Sequence, residues 1–220
     1  MHIAILGGTG DIGEGLALRW ATDTDHGVLV GSRDADRARE AARGYLAELD
    51  DRGIDAAVSG FANEEAADRA DVIVLAVPPY VVTDTIEAIE AAIGDAVLVS
   101  PAVGLGRDES GFHHDPPPAG SVTAHAAKAA PEDAVVVGTF HNLPAARLAN
   151  LDADLGLDTP VVGAPGPAKE TVLELVNAIE GLRGLDAGGV GNAPEAEGMV
   201  PLLLNVAVNE DLADTGIAFR

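Results

Sequence analysis

Two observations in the sequence predict an α/β fold built on a doubly wound parallel sheet. Stretches rich in Val, Ile and Ala alternate with helical stretches through residues 2–140, the rhythm of parallel strands joined by helical crossovers. The first apolar run, Ile3-Ala4-Ile5-Leu6, enters the glycine-rich turn Gly7-Gly8-Thr9-Gly10-Asp11-Ile12-Gly13, and a helical stretch leaves it. The implied architecture is Rossmann-type, followed by a small C-terminal α+β domain. A shift to turn-rich composition near residue 138 divides the chain into 1–137 and 138–220.

Strands are expected at 2–7, 28–31, 55–59, 71–77, 96–100 and 134–140. Between them, Glu14–Thr22, Asp34–Arg52, Asn63–Ala70, Tyr80–Ile93 and Ser121–Ala130 read as helices, the third capped by Asn63. Val72 to Val77 is apolar on both faces, as a central parallel strand should be. Gly104–Gly120, with prolines at 116 to 118, reads as the longest loop, either a mobile lid or a solvated connection. Beyond 138, strands are expected near 160–164 and 183–187, and helices near Lys169–Glu180 and Glu195–Leu212.

Composition narrows the function. Asp and Glu number 36 against 13 basic residues, for a formal charge of -23. A surface this acidic repels nucleic acid and anionic membranes, and high salt screens its self-repulsion; a high-salt cytoplasm is the expected setting. With no cysteine, neither a disulfide framework nor a thiolate is available. No apolar run approaches a membrane span. A strand starting at residue 3 leaves no room for a signal peptide.

The spacing Gly8, Gly10, Gly13 is that of a dinucleotide fingerprint. Gly8 is expected to permit the tight turn, Gly10 to let the backbone approach a pyrophosphate, and Gly13 to let the first helix pack closely. Thr9, Asp11 and Ile12 supply loop amides. The second strand ends Gly31-Ser32-Arg33, where an enzyme preferring NAD carries Asp or Glu for the ribose 2′-OH. Arg instead matches a 2′-phosphate through two parallel hydrogen bonds. Ser32 can add a third hydrogen bond and Arg37 a second charge. NADP is therefore the expected cofactor.

The second reactant should enter at the carboxyl ends of the strands. Val77-Pro78, Pro101-Ala102-Val103 and His141-Asn142-Leu143 fall there and offer backbone and small apolar groups. Of the side chains at this edge, His141 is the best acid–base candidate, with an orienting or packed role the more expected. His113-His114-Asp115 reads as a solvated loop rather than a metal site, and Glu195 and Glu197 as solvent-facing. This shortage of proton handlers argues against ketone reduction and for hydride transfer between two redox cofactors. No catalytic side chain and no metal ligand is therefore assigned.

The chain resembles the F420H2:NADP oxidoreductases along nearly its whole length. The resemblance rests on Leu6 to Arg19, Gly31-Ser32-Arg33, Val99-Ser100-Pro101, the block His141 to Leu151, Gly181-Leu182-Arg183, Leu185 to Gly188 and Pro201-Leu202-Leu203-Leu204-Asn205. It implies reversible hydride transfer between coenzyme F420, a deazaflavin, and NADP. In that reading Thr9 to Ile12 hold the pyrophosphate, and Ser32, Arg33 and Arg37 the 2′-phosphate. Ala145 lies on the nicotinamide side, and Leu143 and Leu204 press on the deazaflavin. The F420 niche forms between the two domains, and the assembly is a homodimer. Readings kept beside it are an NADPH-dependent flavin or metal-chelate reductase and a non-catalytic NADP-binding redox sensor.

Overall fold

The structure, a computed structural model, describes residues 1–220. Its first half alternates strand and helix: β1 (His2–Leu6), α1 (Asp11–Asp23), β2 (Gly27–Ser32), α2 (Ala35–Asp51), β3 (Val58–Ala62), α3 (Asn63–Asp68), β4 (Val72–Leu75), α4 (Val82–Ile89) and β5 (Val97–Ser100). Then come β6 (Leu105–Asp108), β7 (Gly111–His114), α5 (Val122–Ala129), β8 (Val136–Gly138) and α6 (Ala145–Ala149). The chain finishes with β9 (Leu157–Gly163), α7 (Pro167–Asn177), β10 (Leu182–Asp186) and α8 (Ala193–Asn209).

Eight strands form one sheet in the order β10-β9-β8-β5-β4-β1-β2-β3. From β3 to β8 all pairs are parallel. The chain runs outward from β1 to β3, then crosses back to β4 on the other side of β1. That reversal is the switch point where such sheets bind ligands. Leu6 pairs with Gly31 on one side and Leu75 on the other, so Gly7, Ser32 and Ala76 emerge along one edge. The C-terminal strands continue this sheet: β9 joins β8 antiparallel, and β10 joins β9 parallel.

Both faces of the central strands are buried, and the pleat sorts them. Ile3, Ile5, Val72 and Val74 pack on the side of α1, α2 and α7, and Ala4, Leu6, Ile73 and Leu75 on the side of α4 and α5. Each fully buried Val, Leu or Ile contributes about 1.5–3 kcal/mol. Trp20 and Phe140 meet edge to face at 5.6 Å, and the indole N–H donates to the Leu175 carbonyl at 2.9 Å.

Three local expectations change. Residues 105–114 form the antiparallel hairpin β6–β7 rather than featureless loop. What holds it is distant: Asn205 on α8 accepts from Phe112 N and donates to Phe112 O, both at 2.8 Å. The sixth strand stops at Gly138 because Phe140 takes a positive φ of 66°. Ala62 occupies the N-cap of α3 with no side-chain cap, so Asn63 is its first helical residue and not its cap. No helix is long and apolar enough to cross a membrane.

Candidate functional site

The turn between β1 and α1 is built for backbone to face a ligand. Gly7 has φ 82°, and a Cβ there would strike the Ala76 carbonyl; the tight turn expected at Gly8 takes its positive φ at this residue instead. Gly13 would set a Cβ 2.7 Å from Gly7 O and Gly8 Cα, so any side chain would push α1 off the turn. From the other side, Tyr45 on α2 donates to Gly8 O at 2.7 Å, and burial pushes its phenol pKa up. Gly10 caps α1, whose first amides have no partner within the helix. A Cβ on Gly10 would meet only Gly7 O at 3.4 Å and would otherwise fill open space.

That space is a cleft of about 330 Å³ lined by Gly7, Thr9, Gly10, Ser32, Arg33, Arg37, Asn63, Ala76, Val77 and Pro78, among others. Asp34 caps α2 by accepting from Asp36 N at 2.9 Å, and Ser32 Oγ accepts from Asp34 N at 3.2 Å. This turn presents both arginines to the cleft. Asp36 pairs with Arg39 at 2.7 Å, while Arg33 and Arg37 form no ion pair and are exposed. Arg37 is therefore not engaged by any carboxylate along its own helix. Asn63 is a site residue that sequence reasoning took for a cap. Its Oδ1 is buried without a hydrogen-bond partner at the cleft wall, which leaves an amide free to meet a ligand. Unpaired guanidinium groups, open amides and this orphaned amide oxygen fit a phosphorylated dinucleotide.

A second hollow continues from the first. Gly10, Asp11, Ile12, Ala76, Val77, Pro78, Pro101, Ala102 and Ala145 line it, and Gly10, Ala76, Val77 and Pro78 belong to both. The two hollows thus bring together ten of the sixteen residues expected at the site; Gly8 and Gly13 shape the turn from beneath, and Val103, His141, Leu143 and Leu204 line neither hollow. His141 and Leu143 are buried, and Val103 and Leu204 half-buried, the last on α8. Apart from the exposed Asp11, no titratable side chain lines the second hollow.

Ala145, the first residue of α6, is held there from α1. The buried Arg19 donates to the carbonyls of Leu148 (3.0 Å), Asn150 (2.7 Å), Ala153 (2.9 Å) and, more weakly, Arg147 (3.4 Å). These groups would otherwise lack partners at the end of a five-residue helix. Gly15 lets Leu148 approach so closely that a Cβ would sit 2.9 Å from its Cγ. On the far side, Asn142 donates to Asp158 O at 2.8 Å and accepts from Thr159 Oγ1 at 2.9 Å.

His141 lies behind the hollow, its Nε2 3.3 Å from Thr123 Oγ1 and its Nδ1 without a hydrogen bond. Burial pushes its pKa down to about 4, against a smaller opposing effect of the Ser100 carbonyl, so it is neutral at pH 7 and packed rather than poised as an acid. Because the folded value lies below the unfolded value of about 6.5, the unfolded chain binds more protons between them. Stability should therefore fall as pH drops from about 6.5 to about 4, by up to about 3 kcal/mol from this residue. Urea unfolding of the wild type and His141→Gln across this range checks it; parallel pH profiles would refute the assignment.

Glu195 is exposed as expected, but Glu197 is not: it is fully buried on α8 beside His141 and His114. Sequence pattern missed this because two glutamates two apart on a helix give no hint that one meets another helix end-on. His113 pairs with Asp108 at 3.0 Å within the hairpin.

Fold and cleft place the chain in the class of dinucleotide-binding α/β proteins with an apolar second-ligand hollow. Residues 2–104 match the family described as NADP oxidoreductase, coenzyme F420-dependent. Over 99% of its length the chain is 35% identical to the F420-dependent NADP reductase of Methanocaldococcus jannaschii, covering 97% of that protein. It is also 35% identical to the reductase of the same name from Methanothermobacter thermautotrophicus, covering 99% of this chain and 94% of that one. A crystal structure described as a putative F420-dependent NADP reductase from Arthrobacter sp. FB24 superposes with a TM-score of 0.76 at 23% identity, covering 99% and 98% of the two chains. The chain belongs to the F420-dependent NADP reductase family.

Proposed function

We propose that the chain transfers hydride reversibly between coenzyme F420 and NADP. The observation that carries this reading is the continuity of the two hollows across Gly10, Ala76, Val77 and Pro78, with no general acid or base at their junction. When bound, the two rings supply the redox chemistry, a hydride leaving one and joining the other. The protein's part is approximation. Thr9 to Ile12 meet the pyrophosphate with backbone amides, and Ser32, Arg33 and Arg37 hold the 2′-phosphate. Val77, Pro78, Ala102 and Ala145 exclude water from the junction. Residues 1–137 carry the NADP half, and 138–220 complete the F420 niche, with His141, Leu143, Val103 and Leu204 behind its wall.

The net charge of -23 supports a salt-rich cytoplasm as the working environment. A homodimer is the assembly we favour, from the exposed Leu202, Val206 and Val208 on α8. The test mixes protein, NADPH and oxidised F420 in ~1 M salt and follows deazaflavin absorbance. Bleaching is expected; no bleaching with NADP binding retained would overturn the reading in favour of a sensor, and bleaching of FMN alone would favour a flavin reductase.

A further inference from the structure

Glu197 takes no part in the hydride transfer proposed above, yet it sits where four segments meet. Its Oε2 accepts from Val122 N at 2.8 Å, and its Oε1 from Thr123 N and Thr123 Oγ1, both at 2.9 Å. Val122 and Thr123 open α5. The next two amides, Ala124 and His125, donate to Ser121 Oγ at 2.9 Å and Ser121 O at 3.0 Å. Val122, Thr123 and Ala124, which have no acceptor within the helix, thus all find side-chain acceptors, two of them on a carboxylate from α8. The positive helix end and the three donors suit a side chain whose two oxygens both accept.

Two histidines converge on the same carboxylate. His114 Nε2, at the end of β7, is buried without a hydrogen-bond partner 3.7 Å from Oε2. His141 Nε2 lies 3.9 Å from Oε1. His114 belongs to the hairpin that follows Pro101 and Ala102, one wall of the second hollow. His141 begins the turn that leads to Ala145, another part of that wall. No atom of Glu197 or of its partners lines the NADP cleft.

We propose that Glu197 is a positioning residue for the F420 side of the site alone. It locks α5, the β6–β7 hairpin and the turn at 139–145 against α8, and so sets the spacing of the walls around the second ring. The inference rests on the hydride-transfer reading for its ligand, but the clamp itself is read independently.

Glu197→Gln keeps the shape and replaces one acceptor oxygen by an NH2 group facing an amide N–H. The KM for F420 is expected to rise about tenfold or more, with the Kd for NADP within about twofold of wild type. Hydrogen exchange is expected to quicken at Val122, Thr123 and the hairpin amides and to stay unchanged in β1 and α1. Equal losses for both cofactors, or unchanged exchange at α5, would overturn the proposal. Quickened exchange in the variant, with no F420 turnover by the wild type, strikes the functional reading and leaves the clamp standing. If Glu197→Gln fails to fold, Thr123→Val removes one donor and should show the same F420-only pattern at about threefold; its absence there would overturn the proposal equally.

Discussion

Arg33→Ala is expected to raise the KM for NADP by roughly 10- to 100-fold, the cost of a charge-assisted hydrogen bond worth about 1.5–3 kcal/mol. The guanidinium follows Ser32 at the end of β2, lines the cleft and has no carboxylate partner to lose. Its removal therefore leaves the protein's own contacts intact, and the effect falls on the ligand. The KM for F420 and the choice among electron acceptors should hardly change. Preference for NADP over NAD should shrink, since only the 2′-phosphate distinguishes the two at this position. Steady-state kinetics with both nucleotides decide it: unchanged NADP kinetics would remove the 2′-phosphate role.

Arg19→Met is expected to be among the most destabilising single changes on the site's periphery, at about 3 kcal/mol or more. Met keeps the apolar stem but strands carbonyls that now receive a charged donor. Burial presses the guanidinium pKa down, and Asp23 and Glu180 nearby counter it. For a chain of this size such a loss lowers Tm by roughly 6–12 °C. Because α6 carries Ala145 to the hollow, kcat should fall as well. Arg19→Lys, a single-point donor in place of a fork, should restore only part of either. A Tm within about 1 °C of wild type in the Met variant would show that the loop holds itself.

The switch-point half of the site was legible because its requirements are local. A strand, three spaced glycines and a helix are neighbours in sequence, and the charge that Arg33 brings to the cleft follows directly on β2. The buried polar partners were not legible, because each depends on something far along the chain. Asn63 looked like a cap until Ala62 took that place, freeing its amide for the cleft. Glu197 looked solvated because nothing near it announces the end of α5. The hairpin at 105–114 was hidden for the same reason, since Asn205 completes it from the last helix. The turn-rich shift near 138 falls where the strands change direction, and the sheet goes on through β9 and β10, a continuation that pairing far along the chain decides.

That continuity has a mechanical meaning. Val137 pairs with Gly163 and Gly138 with Val162, so backbone hydrogen bonds stitch the C-terminal strands to the nucleotide-binding ones. A hinge between the halves would have to shear a ladder buried on both sides. Ligand exchange must then depend on small displacements of segments that rise from the sheet edge, and the frame beneath them should unfold as one unit.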